Sequence, residues 1–335
     1  MQENRLQYIS YLRVLATCSV VLIHASTGYL NVFTAQGFDW NYANLLNSFT
    51  RFSVPLFVML SGALLIPKEE SLNYFYSHRL LKLLWPFLFW LCIYLVYYFY
   101  RYTNFEVLPF SRVVEISWDK LLHGPSAHLW YLYMILGLYL AMPFLQRMVQ
   151  AMSGLELKCF LLLWFISLIL LNKRLLPYMP AIDLSFFYGY VGYLLLGYWL
   201  STVTCKLSAR FWAIGFLLLA LATAGGTYLL SLSAKQYDSL LYGYLFPNNA
   251  LMAACAFLFF KQLAVPERLP SWVALIDKYS FGIYLSHILV LNYLHPKLDL
   301  PTLWKIPLAS LLTLLFSLLL TYVLRKIPYG KYVSG

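Results

Sequence analysis

Apolar runs of about twenty residues recur along the whole chain, each followed by a short polar segment. Windowed hydropathy places ten predicted helices near 8–28, 47–66, 80–100, 128–146, 157–172, 184–203, 210–232, 246–264, 276–294 and 303–324. At 1.5 Å rise per residue, a twenty-residue run covers a hydrocarbon layer of roughly 30 Å. The expected fold class is therefore an all-α polytopic membrane protein, a bundle of about ten transmembrane helices in one domain over 1–335. The two longest polar segments, 29–46 and 101–127, fall on the same side and are rich in Tyr, Trp and Asn. That composition suits either a polar, ring-shaped ligand or plain interfacial anchoring.

Composition changes the picture only by excluding alternatives. Of 335 residues, 61% are hydrophobic and 11% charged, and the mean hydropathy is +0.68, whereas a soluble domain carries about 25% charged residues. The net charge of +11 does not indicate nucleic acid, because Lys and Arg sit in short loops between apolar runs and never form a basic block. With the N-terminus inside, fifteen basic residues flank the inner ends and eight the outer ends, leaving Arg51 within a span. That bias predicts both termini on the cytosolic side. The first run could pass for an export leader, but it contains His24, which favours a membrane span. Cys18, Cys92, Cys159, Cys205 and Cys255 lie in or beside spans without metal spacing, so no metal site is expected.

Ionisable side chains inside an apolar span are costly and direct attention to function. Arg13 and His24 are eleven residues apart on the first span, three turns plus about 20°, so they share a face and stand roughly 16 Å apart. Arg51 opens the second span in NSFTRFSVPLFVMLSG, where Pro55 and Gly62 permit irregular backbone or close helix approach. His78, Arg79 and Lys82 cluster before the third span; the last two share a helical face and can grip phosphate. His128 begins the fourth span after Ser126, and Ser280 and His287 lie two turns apart in the ninth. Each of these has a bland alternative, a snorkelling cation or a histidine bonded between helices.

In order along the chain, Arg13-x10-His24, SVPLFVMLSG, Arg79 before a proline, HLWYLYMIL and SFGIYLSH resemble the acyltransferase-3 family of membrane enzymes. The resemblance covers essentially the whole chain. It implies transfer of an acetyl group from cytosolic acetyl-CoA to a hydroxyl of a surface or lipid-linked glycan, at a bacterial inner membrane. It also implies that His24 is catalytic and Arg13 essential; Arg51 joins the catalytic set by its position, to orient the acceptor or support the oxyanion. Arg79, Lys82 and the adjoining His78 would hold the donor. Asn44, Asn47, His128, Trp130 and His287 would meet the acceptor. Two positions depart from the family pattern. Ser10 stands where an aspartate is common, which leaves the ionic partner of Arg13 open, and Lys82 replaces an arginine and loses its bidentate geometry. No carboxylate partner for His24 is visible on the first span; Asp39 or Asp238 could supply one. The competing class is a transporter or flippase, against which stand the missing inverted repeat and the lack of paired broken helices.

Overall fold

The computed structural model describes residues 2–103, 108–263 and 268–334, with side chains from Gln7 onward. Thirteen α-helices are found among them and no strand. In chain order they are α1 (Gln2–Thr27), α2 (Phe38–Ser48), α3 (Ser53–Leu65), α4 (Leu72–Phe75), α5 (Leu81–Tyr102), α6 (Phe110–His123), α7 (Trp130–Ala151), α8 (Gly154–Leu170), α9 (Val191–Thr202), α10 (Ala209–Ala234), α11 (Pro247–Gln262), α12 (Ser271–Leu294) and α13 (Thr302–Lys326). Eight helical stretches are long and apolar enough to cross a membrane. The predicted spans at 157–172 and 184–203 correspond to α8 and α9, which have 17 and 12 residues. Large side chains such as Leu217, Leu218 and Leu221 on α10 and Leu311, Leu315 and Phe316 on α13 point outward. Faces of that kind are stable against lipid and unstable against water.

The chain forms two compact units, Met1–Lys68 with Leu145–Leu318, and Glu69–Phe144 with Leu319–Gly335. In the first unit α3 packs on α9 with no side chain between them at Gly62 and Gly197. A Cβ on Gly62 would lie 1.9 Å from the Leu194 carbonyl oxygen, and one on Gly197 equally close to that of Met59. Small residues let helix backbones meet in this way inside a bilayer. Two contacts fix α12 on α1: Asp277 meets Arg13, and His287 meets His24. These pairs are ten and eleven residues apart on their own helices, so α1 and α12 run in the same direction and in register.

Two expectations about the polar segments change. The segment 29–46 contains α2, whose Trp40 is buried against Phe33 and donates to the Leu30 carbonyl at 3.3 Å, while Val32, Phe38 and Leu45 stay exposed. Segment 101–127 contains α6, an amphipathic helix exposing Phe110, Val114, Trp118 and Leu122 as one stripe; its residues 104–107 lie outside the described set. The second span is also broken. Residues 49–52 form a turn between α2 and α3, because Pro55 lacks the N–H that would bond to Arg51 and its ring would strike that carbonyl in a continuous helix. A second interruption, Gly243–Phe246, separates a short turn at Leu240–Tyr242 from α11. The break beside Arg51 is the one Pro55 permits, and the second makes a pair where no paired broken helices were expected.

In the second unit, a π-helical turn, Tyr76–Leu80, joins α4 to α5. The chain reverses after α13 through Tyr329, at φ 63°, and Gly330, where a Cβ would lie 1.7 Å from the Leu324 carbonyl oxygen. The returning strand of backbone is pinned to α5 by Trp90 Nε1, which donates to the Val333 carbonyl at 2.9 Å.

Candidate active site

The first unit holds six of the sequence-derived candidates, Arg13, His24, Asn44, Asn47, Arg51 and His287. His24 lies in the last turn of α1 and keeps part of its surface accessible. Its ring centroid is 5.1 Å from that of His287, with the planes tilted by 48°. His287 is fully buried and its Nδ1 lies 2.5 Å from the Tyr284 carbonyl oxygen. A carbonyl only accepts, so Nδ1 carries the hydrogen of this contact and Nε2 is the nitrogen left for another partner.

Arg51 occupies the turn between α2 and α3, within electrostatic reach of His24. Its Nη2 donates to Asn47 Oδ1 at 2.5 Å, and Asn47 Nδ2 donates to Ser26 Oγ, two residues beyond His24. The guanidinium carbon lies 4.3 Å from the Tyr242 ring centre and 5.8 Å from that of Tyr244. Stacking on an aromatic face holds the guanidinium plane without consuming its donors. Its Nε is buried with no hydrogen-bond partner among the described residues. The Tyr242 hydroxyl donates to Asn44 Oδ1 at 2.5 Å and lies 3.1 Å from Ser48 Oγ, while Asn44 Nδ2 donates to the Ala224 carbonyl at 3.0 Å. Asn44 therefore braces the tyrosine under Arg51.

Arg13 stands lower on α1. It pairs with Asp277 of α12 through Oδ1, and Ser10 Oγ donates to Oδ2 of the same carboxylate at 2.7 Å. The ionic partner left open by Ser10 is thus supplied from a distant helix, with the serine as its second ligand. The two loop carboxylates considered for His24 lie elsewhere. Asp39 is exposed in the first turn of α2. Asp238 pairs with Arg174 through Oδ2 and accepts from the Leu240 N–H at 2.9 Å. Burial pushes its carboxyl up, but the Arg174 bond, the Leu240 N–H and the Arg174 charge together hold it below the usual carboxylate range.

The remaining candidates belong to the second unit. Arg79 is engaged by Glu70, at 2.6 Å to Oε1 and 3.2 Å to Oε2. Lys82 and His78 line a cavity of about 690 Å³, with His78 stacked on Tyr74 at 4.3 Å. Buried His128 contacts the Tyr94 ring at 4.8 Å and Ser126 Oγ at 3.0 Å, and Trp130 opens α7. No group of three or more metal-ligating side chains is found among the described residues. Sequence reasoning did not single out Ser26, Tyr242 or Asp277. With 29 tyrosines in the chain no single one stands out, and Asp277, at a span end beside Lys278, reads as an interfacial charge.

A helical membrane protein with paired imidazoles and a braced guanidinium inside its spans has the parts of a group-transfer enzyme. The sequence profile of the acyltransferase-3 family, an acyltransferase domain, matches residues 6–322, and the chain belongs to that family. No curated protein and no solved structure was found to match it.

Proposed function

We propose that this acyltransferase moves an acetyl group from acetyl-CoA to a hydroxyl of a surface or lipid-linked glycan, in the manner of the enterobacterial common antigen O-acetyltransferase that the second-span sequence resembles. We place it as a multi-pass protein of a bacterial inner membrane with both termini cytosolic, as the distribution of basic residues favours. The observation that carries the reading is the His24–His287 contact within membrane-spanning helices, with Arg51 tied through Asn47 to Ser26, two residues beyond His24.

His24 accepts the proton of the acceptor hydroxyl as its oxygen bonds to the thioester carbonyl carbon. The carbon–sulfur bond then breaks, and the leaving thiolate takes the proton from His24. In a two-step variant His24 carries the acetyl group itself between donor and acceptor. Arg51, with Nε and its outer nitrogens as donors, stabilises the oxygen charge of the tetrahedral intermediate or orients the acceptor. His287 supplies an accepting Nε2 beside His24 and shares its proton. Arg13 is held by Asp277, and the basic group around Lys82 is assigned to the donor's charged end.

A transporter reading has one observation in its favour, the interruptions at 49–52 and 243–246 that meet where Arg51 lies on Tyr242 and Tyr244. Family membership supports transfer over transport. The test is to give detergent-purified protein acetyl-CoA labelled in the acetyl group with a lipid-linked glycan fraction. Label passing into alkali-labile ester with release of free CoA supports the proposal. Unchanged acetyl-CoA with movement of unmodified glycan across proteoliposomes refutes it.

A further inference from the structure

A cavity of about 460 Å³ in the first unit shares no residue with the His24 centre. One wall is formed by Ala250, Ala254 and Leu258 of α11, and the facing wall by Leu196 and Leu200 of α9 with Val203 at its end. Side chains four apart on a helix stand one above the other. The space is therefore a slot that follows the helix axes, for roughly 12 Å from Ala250 to Leu258. Trp164 of α8 and Trp212 of α10 also line it. Length and apolar walls together suit a single hydrocarbon chain, and the volume lies within the roughly 300–1,000 Å³ of small-ligand pockets.

One end of the slot is polar. The segment between α9 and α10 lines it with Thr204 and Lys206, and among the described residues that line the cavity Lys206 is the one cation and there is no carboxylate. That end is held in place from α11. Lys261 Nζ donates to the carbonyls of Leu200 at 2.6 Å, Ser201 at 2.9 Å and Val203 at 2.7 Å. An ammonium has three donors, so Lys261 is committed to closing the end of α9. Lys206 is exposed and carries the charge that a ligand can reach. In the orientation proposed above, this end is cytosolic.

We propose that the slot is a lipid site, in which one acyl chain of an anionic phospholipid lies between α9 and α11 and its phosphate group is held by Lys206. A cation at the mouth of an apolar slot selects a ligand with a negative head on a chain, and basic pockets between spans on the cytosolic side take anionic headgroups. A zwitterionic lipid brings a positive group to the same place and gains less. Free fatty acid shares the chemistry, but the bilayer around α10 and α11 supplies phospholipid at far higher local concentration. A seated chain supports α9, the helix that meets α3 backbone to backbone at Gly62 and Gly197, and binding of this kind raises the stability of the folded chain. The site is independent of the acyl donor.

The test is native mass spectrometry of the delipidated full chain in neutral detergent, titrated with phosphatidylglycerol and with phosphatidylcholine of the same acyl chains. The expected result is one phosphatidylglycerol held per chain, at least ~10-fold more tightly than phosphatidylcholine. Lys206→Glu should remove that preference, and Ala254→Trp, which fills the slot, should weaken both lipids. Phosphatidylglycerol should also raise the melting temperature of the native chain and not that of Lys206→Glu. Lys206 is exposed, so its variant decides the question even where the tryptophan variant does not fold. Equal affinity of the native chain for the two lipids overturns the site, as does an unchanged preference in Lys206→Glu or unchanged binding in folded Ala254→Trp. Displacement of phosphatidylglycerol by an equal concentration of oleate overturns phospholipid as the occupant.

Discussion

The His24 centre and the Lys82 cavity treat charge in opposite ways. Around His24 the polar groups are buried and tied to one another: Ser26 to Asn47, Asn47 to Arg51, Arg51 to Tyr242, Tyr242 to Asn44. Around the cavity, Lys82 and Lys331 are exposed, and the rings of Trp85 and Tyr332 stand open. The first arrangement has its orientation set before any ligand arrives, which is what stabilising a transient charge requires. The second keeps mobile point charges that adjust to a ligand and are weakened by salt. Rigidity accompanies chemistry and adaptability accompanies binding, so substitutions in the two places should fail differently.

The largest separation is expected at Arg51. Arg51→Ala should lower kcat by ~100- to 1,000-fold with little effect on KM for acetyl-CoA, read by steady-state acetyl transfer. A pure rise in KM would move Arg51 into the binding class and break the contrast. At Asp277 the expected effect is on stability. Asp277→Asn strands Arg13 and should cost ~1–2 kcal/mol, less than the ~3–5 kcal/mol of a fully buried pair, because the two side chains keep 29% and 17% exposure. Adding Ser10→Asp should restore most of the lost thermal stability, since Ser10 already reaches the same carboxylate. Failure of that rescue would show that Asp277 serves more than its ion pair.

The smallest effect is at Asp238. Its folded carboxyl sits below the usual carboxylate range, so the stability it adds is present at neutral pH and is lost as the pH falls through that lowered value. Asp238→Asn should destabilise the chain at pH 7 and make no difference in strong acid, measured by melting across pH. A constant difference at every pH would contradict the Arg174 pairing.

Much of the first centre was legible in the sequence, for a physical reason. Titratable residues within apolar runs are expensive, so His24, Arg51 and His287 stand out, and the eleven-residue spacing from Arg13 to His24 gives a shared face directly. Pro55 carried the signal for the helix break beside Arg51. What was not legible depends on contacts between distant segments. Asp277 is 264 positions from Arg13, and Tyr242 is one of many tyrosines. The C-terminal wall of the cavity lies beyond the last apolar run, where periodicity is silent. The spacing puts Arg79 and Lys82 on one helical face, yet Arg79 falls in the π-helical turn Tyr76–Leu80 and is claimed by Glu70, which spacing cannot foresee.

The central claim is that the His24 imidazole performs the transfer. The direct measurement is turnover of acetyl-CoA by purified His24→Ala protein, with folding checked by melting and donor affinity by acetyl-CoA binding. The account predicts unchanged melting and affinity with turnover reduced ~100- to 10,000-fold. Near-normal turnover in the same protein would contradict it.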